Sequence, residues 1–94
     1  MSTVWLDGTL RERDRAAVSI DDLGFLYGAA CFETMRAFGG VVFRLDRHLQ
    51  RLQYGLEAMG VPAPDSSTLA AAVAATLEAN ELRDARMPQC LLRA

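Results

Sequence analysis

Apolar and polar residues alternate along two parts of the chain in the pattern of antiparallel hairpins. Residues 4–6 and 9–10 flank an Asp-Gly pair, which tolerates the positive φ angles of a tight type I′ turn. Residues 31–38 and 41–43 flank two glycines in the same way. The pattern therefore predicts a short N-terminal hairpin and a longer second one.

Three further segments are less regular. Residues 16–20 predict another strand that turns at residues 21–24. Residues 25–27 are too short and too aromatic for an independent helix, and we expect a structured loop there. Residues 89–93 predict a last strand, with Pro88 confined to its first position or to a sheet edge because proline cannot donate to the ladder.

Two helices are predicted after the second hairpin. Apolar residues recur at spacings of four, three, four and three: Leu45, Leu49, Leu52, Leu56 and Met59. Asp46 is expected to cap this helix, and Gly60 with Pro62 to end it. A second, alanine-rich helix is predicted from a cap within residues 65–67 to about Asn80. The fold class is thus α+β, a small antiparallel sheet of hairpins packed with two helices.

The strand at residues 31–38 carries a charge on each face, because side chains alternate across a strand. Phe32 and Arg36 share one face, and Glu33 lies on the other with Met35. A strand that faced only core and solvent would separate apolar from polar residues more cleanly. We therefore expect one face to border a partly buried polar space.

A basic edge borders the apolar stripe of the first helix. It contains Arg44, His48, Arg51 and Gly55. Arg51, one turn before Gly55, can reach a buried anion across a helix face that leaves it room; the alternative is a surface arginine whose stem packs on the helix. His48 has no cysteine or acid at helical spacing, so we interpret it as a surface or interface histidine and not as a catalytic group.

The composition, 51% hydrophobic and 23% charged over 94 residues, is that of one globular domain. The net charge of −2 comes without a basic cluster, so nucleic acid and anionic membranes are not expected partners. Residues 69–77 are the longest stretch of low polarity and fall far short of the roughly 20 residues of a membrane span. The cytoplasm is the default compartment. Cys31 and Cys90 lie in apolar runs and are expected to be buried free thiols.

Generic motifs are absent: the sequence has no Gly-rich phosphate loop, no metal-ligand cluster and no nucleophile elbow. Two longer strings are more informative. Residues 24–36 read Gly-Phe-Leu-Tyr-Gly-Ala-Ala-Cys-Phe-Glu-Thr-Met-Arg, and residues 42–52 read Val-Phe-Arg-Leu-Asp-Arg-His-Leu-Gln-Arg-Leu after a glycine turn. In this order they resemble the N-terminal domain of class IV aminotransferases, the fold type IV pyridoxal-phosphate enzymes. That family includes branched-chain and D-amino-acid aminotransferases and aminodeoxychorismate lyase.

The resemblance implies roles for individual residues. Arg51 would bind the phosphate of pyridoxal 5′-phosphate, and Tyr27, Phe32 and Arg36 would look onto the substrate side of the site. Glu33 would face the other way in a structural role. The implied substrates are an amino acid, of branched-chain type, and a 2-oxo acid, and the implied assembly is a homodimer.

One departure from the family stands out, because all 10 basic residues are arginine and the sequence contains no lysine. The family's catalytic lysine forms a Schiff base with the cofactor and moves the substrate proton. The family supplies it, with the acid opposite the pyridine nitrogen, from a larger C-terminal domain. We therefore expect residues 1–94 to be the small domain of a longer protein, inactive by itself. The alternatives are aminodeoxychorismate lyase, which forms 4-aminobenzoate, and a standalone module that pairs through the apolar faces of its two helices.

Overall fold

The computed structural model describes residues 2–82 and 85–93, the latter as backbone. In chain order the elements are β1 (Thr3–Leu6), β2 (Thr9–Glu12), a 3₁₀ turn (Arg13–Arg15), α1 (Leu23–Tyr27), β3 (Ala30–Phe38), β4 (Val41–Val42), α2 (Leu45–Ala58), α3 (Ser66–Ala79) and β5 (Ala85–Arg93). The strands form one two-stranded and one three-stranded sheet. This arrangement confirms the predicted α+β class.

The N-terminal hairpin has the predicted turn. Strands β1 and β2 pair in antiparallel register with Leu6 opposite Thr9, and the two turn residues, Asp7 and Gly8, have φ angles of 50° and 92°. Two positive φ angles are the requirement of a type I′ turn. The side chain of Asn80, just after α3, ties this hairpin to the rest of the chain: it accepts from the Thr3 amide at 2.7 Å and donates to the Thr3 carbonyl at 2.8 Å.

Strand β3 is the centre of the larger sheet, whose order is β4-β3-β5 and whose pairs are antiparallel. Glu33 lies opposite Cys90 and Met35 opposite Met87, so Pro88 and Gln89 together face the single residue between them. The extra residue makes a β-bulge in an edge strand of the described sheet. A bulge tolerates the missing N–H of Pro88, in agreement with the edge position expected for it.

Both long helices occur where the sequence predicts them. Asp65 caps α3, its Oδ1 accepting from the Thr68 amide at 2.8 Å. The predicted cap at Asp46 is wrong: α2 begins at Leu45, two residues before the start that this cap implies, and its N-cap is Arg44, which adopts a left-handed conformation with φ of 53° and gives no side-chain cap. Asp46 lies in the first turn instead, where its charge is favourable to the helix dipole.

The core lies between the inner face of β3 and the apolar faces of α2 and α3. Its buried members are Met35, Ala37, Val42, Leu49, Leu52, Leu56, Leu69, Ala72, Val73 and Leu77. Leu45 packs against both halves of this core, whereas Met59 is 42% exposed and lies outside it. The helices therefore bury most of their apolar faces inside the chain.

Two local predictions are wrong. Residues 16–20 form no strand: they pair with none of the described strands, and Val18 and Ile20 are both exposed. Residues 25–27, expected to be a loop, instead form the last part of the short helix α1. Asp22 caps it by accepting from the Phe25 amide at 3.0 Å, and Gly28 ends it in a left-handed conformation. Caps at both ends make one helical turn possible in a segment too short to form it by propensity.

Two remaining expectations concern the cysteines and the membrane. Cys31 is a free thiol but is only half-buried, with its Sγ 3.4 Å from Met59 Sδ; the side chain of Cys90 lies outside the described residues. Within the part of the chain that the structure describes, every helix is too short or too polar to cross a membrane.

Candidate functional site

A buried carboxylate marks the most polar point of the interior. Glu33 lies on the inner face of β3 with only 4% of its surface exposed, and it is the buried charged residue among those described. The neighbouring inner-face positions, Met35 and Ala37, are apolar and fully buried. A carboxylate in such surroundings is costly unless hydrogen bonds and opposite charge compensate it.

Two residues of α2 supply that compensation. Arg51 donates twice, from Nε to Glu33 Oε1 at 2.6 Å and from Nη2 to Oε2 at 2.8 Å. His48 Nδ1 lies 2.8 Å from the same Oε2. Since an ionised carboxylate only accepts, this geometry assigns the Nδ1 proton to His48. The guanidinium and the carboxylate therefore form a bidentate pair, with the imidazole as a third donor.

The electrostatics of the cluster favour the ionised carboxylate. Hydrogen bonding from Arg51 lowers the pKa of Glu33, against the opposing effect of burial, and His48 lowers it further. In return, Glu33 raises the pKa of Arg51. The pair is thus charged on both sides across the neutral pH range.

The sequence brings these groups together through helix spacing and one glycine. His48 and Arg51 are three residues apart and so share an edge of α2. One turn later, a Cβ atom at Gly55 would lie 3.0 Å from Cys31 Sγ. The absence of a side chain at Gly55 therefore leaves space that β3 occupies. The resulting close approach of α2 and β3 brings Arg51 within reach of Glu33.

An open depression of ≈ 560 Å³ lies over this edge of α2, lined by Arg44, Arg47, His48, Gln50, Arg51 and Tyr54. The Arg51 side chain remains 75% exposed although its inner edge is bound. Within residues 2–82, its Nη1 has no recorded partner, and neither Arg44 nor Arg47 is paired with a carboxylate. The depression can therefore accept an anion of appreciable charge.

The other predicted site residues lie elsewhere. Phe32 and Arg36 share the outer face of β3, as the alternation predicts, and both are exposed, Phe32 to 62%. Tyr27, the last residue of α1, is 79% exposed. Arg51 contacts Glu33 on the inner face, so the sheet separates the guanidinium pair from the side chains of Phe32 and Arg36 within this chain.

The predicted buried anion and the predicted polar space of β3 are one and the same feature. The sequence indicates Arg51 as a residue able to reach an anion and Glu33 as a charge on an otherwise apolar strand face, but not their pairing. His48 is partly exposed, at 22%, yet it is bound to Glu33 and is not a bystander on the helix surface. A single carboxylate on an otherwise apolar strand face, together with a helix that has a basic edge, is the signal in the sequence that could have indicated this pairing.

Comparison with known proteins places the chain among one group of enzymes. The family profile described as class IV amino-transferase matches residues 30–93. A Methanocaldococcus jannaschii protein, provisionally named a branched-chain-amino-acid aminotransferase, is 37% identical over 83 residues, covering 87% of this chain and 29% of that protein. The aminodeoxychorismate lyase of Bacillus subtilis is 38% identical over 58 residues, covering 62% of this chain and 20% of the lyase.

The fold gives the same result. The crystal structure of a branched-chain aminotransferase from Thermoproteus uzoniensis, determined with norvaline, superposes with a TM-score of 0.78 and 34% identity. The match covers 88% of this chain and 30% of the archaeal one. The present chain thus spans less than a third of the length of each of these three proteins.

Proposed function

The chain belongs to the class IV aminotransferase family, and we propose that it forms the N-terminal small domain of a pyridoxal-phosphate-dependent aminotransferase. The proposed reaction moves an amino group between an amino acid of branched-chain type and a 2-oxo acid. The names of the Methanocaldococcus and Thermoproteus relatives support this substrate class. We also propose that the enzyme works as a homodimer.

The observation that carries the proposal is the state of Arg51. Its Nε and Nη2 are bound to Glu33, while its outer edge remains exposed beside the basic depression. A guanidinium with a free edge suits a phosphate oxygen, and Arg44 and Arg47, which have no carboxylate partner within residues 2–82, add positive charge nearby. The residues present therefore fit the phosphate of the cofactor, and Arg51 would bind it.

The outer face of β3 has a different task in this proposal. Phe32 offers an exposed apolar ring and Arg36 a cation that complements a substrate carboxylate, with Tyr27 near the start of the same strand. We propose that these three residues border the substrate and help to orient it. Their exposure within this chain is what a surface reserved for binding requires.

Pyridoxal phosphate, when bound, supplies the electron sink for amino transfer. The chain's own contribution is to hold the phosphate through Arg51 and to border the substrate. Moving the substrate proton requires the family's lysine, and the 94 residues contain none. We therefore propose that this chain alone has no transaminase activity.

Binding of a cofactor analogue tests the phosphate role without catalysis. Pyridoxamine 5′-phosphate has no aldehyde to react with the N-terminal amine, and its own fluorescence reports binding. We expect it to bind more tightly than pyridoxamine, and Arg51→Gln to weaken its binding by about tenfold. Arg13→Gln removes the same charge from the 3₁₀ turn, far along the chain from the depression, and should leave the affinity unchanged. Equal binding of both compounds, or by wild type and Arg51→Gln, would contradict the proposal.

Aminodeoxychorismate lyase is the second candidate, favoured by the similarity to the Bacillus subtilis enzyme. It uses the same cofactor, so Arg51 keeps the same role in both. The two are separated by assaying a protein that contains this chain together with the family's lysine. Transfer of an amino group from a branched-chain amino acid to a 2-oxo acid supports the aminotransferase; release of 4-aminobenzoate from aminodeoxychorismate supports the lyase.

A further inference from the structure

We propose that Glu33 is a positioning residue, which orients the Arg51 guanidinium for anion binding while His48 holds the Glu33 carboxylate in place. The inference rests on the proposed function, in which Arg51 binds the cofactor phosphate. It assigns to a strand residue on the inner face of β3 a part in a site that lies on the surface of α2.

The need for positioning follows from the exposure of Arg51. Its side chain is 75% exposed, on the edge of a helix, with four rotatable bonds between the backbone and the guanidinium. An arginine in that situation samples many rotamers and must lose this freedom when it binds an anion. The bond to Glu33 removes most of that freedom when the chain folds, before any ligand arrives.

The geometry of the pair fixes an orientation as well as a position. Two roughly parallel bonds, from Nε and Nη2, set the plane of the guanidinium relative to the carboxylate. The edge that contains Nη1 is then directed away from Glu33. A single bond, or a lysine in place of Arg51, would leave the donor free to rotate.

Glu33 can impose this orientation because it is itself immobile. It lies in the central strand of its sheet, is 4% exposed, and donates nothing but accepts three hydrogen bonds. The third comes from His48, on the same edge of α2 as Arg51. Rigid elements and hydrogen-bonded neighbours are what hold a binding group in a productive geometry.

The negative charge of Glu33 opposes a phosphate, but its effect is matched nearby. Arg51 balances the carboxylate charge, and Arg44 and Arg47 line the same depression without a carboxylate partner within residues 2–82. The net charge facing an anion therefore stays positive with Glu33 ionised. The dominant contribution of Glu33 to the affinity is then the orientation that it gives to Arg51, and not its effect on the charge that the phosphate meets.

The variant Glu33→Gln tests this contribution at constant size. A glutamine amide presents N–H groups where Arg51 and His48 also donate, so at least one of the three bonds is lost. Glu57→Gln removes the same charge from an exposed position of α2 and serves as the control. Glu33→Asp keeps the charge but is one methylene shorter, so it cannot maintain both bonds to Arg51. It decides the question if Glu33→Gln does not fold.

The measurement is the dissociation constant of pyridoxamine 5′-phosphate for the 94-residue chain. We expect Glu33→Gln and Glu33→Asp each to raise it about fivefold, the order of magnitude for immobilising one long side chain, and Glu57→Gln to leave it unchanged. The effect should vanish in the Arg51→Gln background, because Glu33 acts only through Arg51. A purely structural role of Glu33 would lower affinity in both backgrounds.

The outcomes separate this inference from the proposed function. If Arg51→Gln weakens binding while both Glu33 variants bind as tightly as wild type, or more tightly, positioning by Glu33 is wrong and the phosphate role of Arg51 stands. If the Glu33 variants weaken binding equally with and without Arg51, positioning is again wrong. If Arg51→Gln itself has no effect, the proposed function fails and this inference fails with it.

Discussion

Each face of β3 carries one charged residue, which is buried and paired on the inner face and exposed on the outer face. On the inner face, Glu33 is buried between half-buried Cys31 and fully buried Met35, and it is paired with groups of α2. On the outer face, Arg36 is exposed, as are Phe32 and Phe38 at 62% and 56%. The inner face is thus complete within the described chain, whereas the outer face presents aromatic surface and a cation to whatever binds there. A strand that alternates in this way divides folding and binding between its two sides.

The largest expected difference between the faces is in stability. Met35→Ala removes a side chain that is 1% exposed, and we expect it to lower the free energy of unfolding by about 3 kcal/mol through lost burial and a residual cavity. Phe32→Ala, on the outer face, should change it by less than about 0.5 kcal/mol. Urea unfolding followed by circular dichroism measures both. A Phe32→Ala variant as unstable as Met35→Ala would show that the outer face is also part of the core.

The next effect concerns the inner charge. Glu33→Gln leaves the donors of His48 and Arg51 poorly paired and should lower the free energy of unfolding by about 2 kcal/mol at neutral pH. Glu57→Gln, an exposed position on α2, is the control and should be close to neutral. If the two glutamine variants are equally stable, the Glu33 cluster does not stabilise the fold, and the contrast between the faces loses its electrostatic part.

The pH dependence of that difference gives a smaller, signed effect. The pKa of Glu33 is lowered in the folded chain, so its stabilising contribution is complete above the unfolded pKa of about 4.3 and is lost as the pH falls through the lower, folded value. The stability gap between wild type and Glu33→Gln should therefore shrink as the pH falls below about 4.3. Urea midpoints along this pH series measure it. A gap that widens in that acidic range would have the wrong sign.

The smallest effect lies away from both faces, at the start of the helices. Asp65→Ala removes the cap of α3 and should lower the thermal midpoint, by less than Glu33→Gln does. Asp46→Ala removes an acid from the first turn of α2 that makes no cap bond, so its effect should be smaller still. Equal midpoints for the two alanine variants would mean that the Asp65 cap contributes nothing beyond its charge.

The parts of the structure that the sequence predicts are those determined by neighbouring residues. The Asp7-Gly8 turn, the stripe of α2 apart from Met59, and a helix cap within residues 65–67 all depend on short spacings, and the structure confirms them, with Asp65 as the cap. The predicted start of α2 is wrong because Arg44 adopts a left-handed conformation that the pattern of residue types does not indicate.

The pairing at the candidate site could not be predicted from short spacings. Glu33 and Arg51 are each conspicuous in the sequence, but 18 positions separate them, and their pairing depends on how closely α2 approaches β3 at Gly55. That approach is a property of tertiary packing. Local spacing can therefore identify Glu33 and Arg51 as candidate residues, but it does not indicate that they bind each other or that His48 also binds Glu33.

The side-chain NMR signal of Arg51 tests most directly whether Arg51, held by Glu33, binds the phosphate of the cofactor. In a spectrum of the arginine Nε–H groups, the Arg51 signal is identified by its loss in Arg51→Gln. We expect this signal to shift on titration with pyridoxamine 5′-phosphate and to stay in place with pyridoxamine. An Arg51 signal that does not move while those of other arginines do would place the phosphate elsewhere and contradict the account.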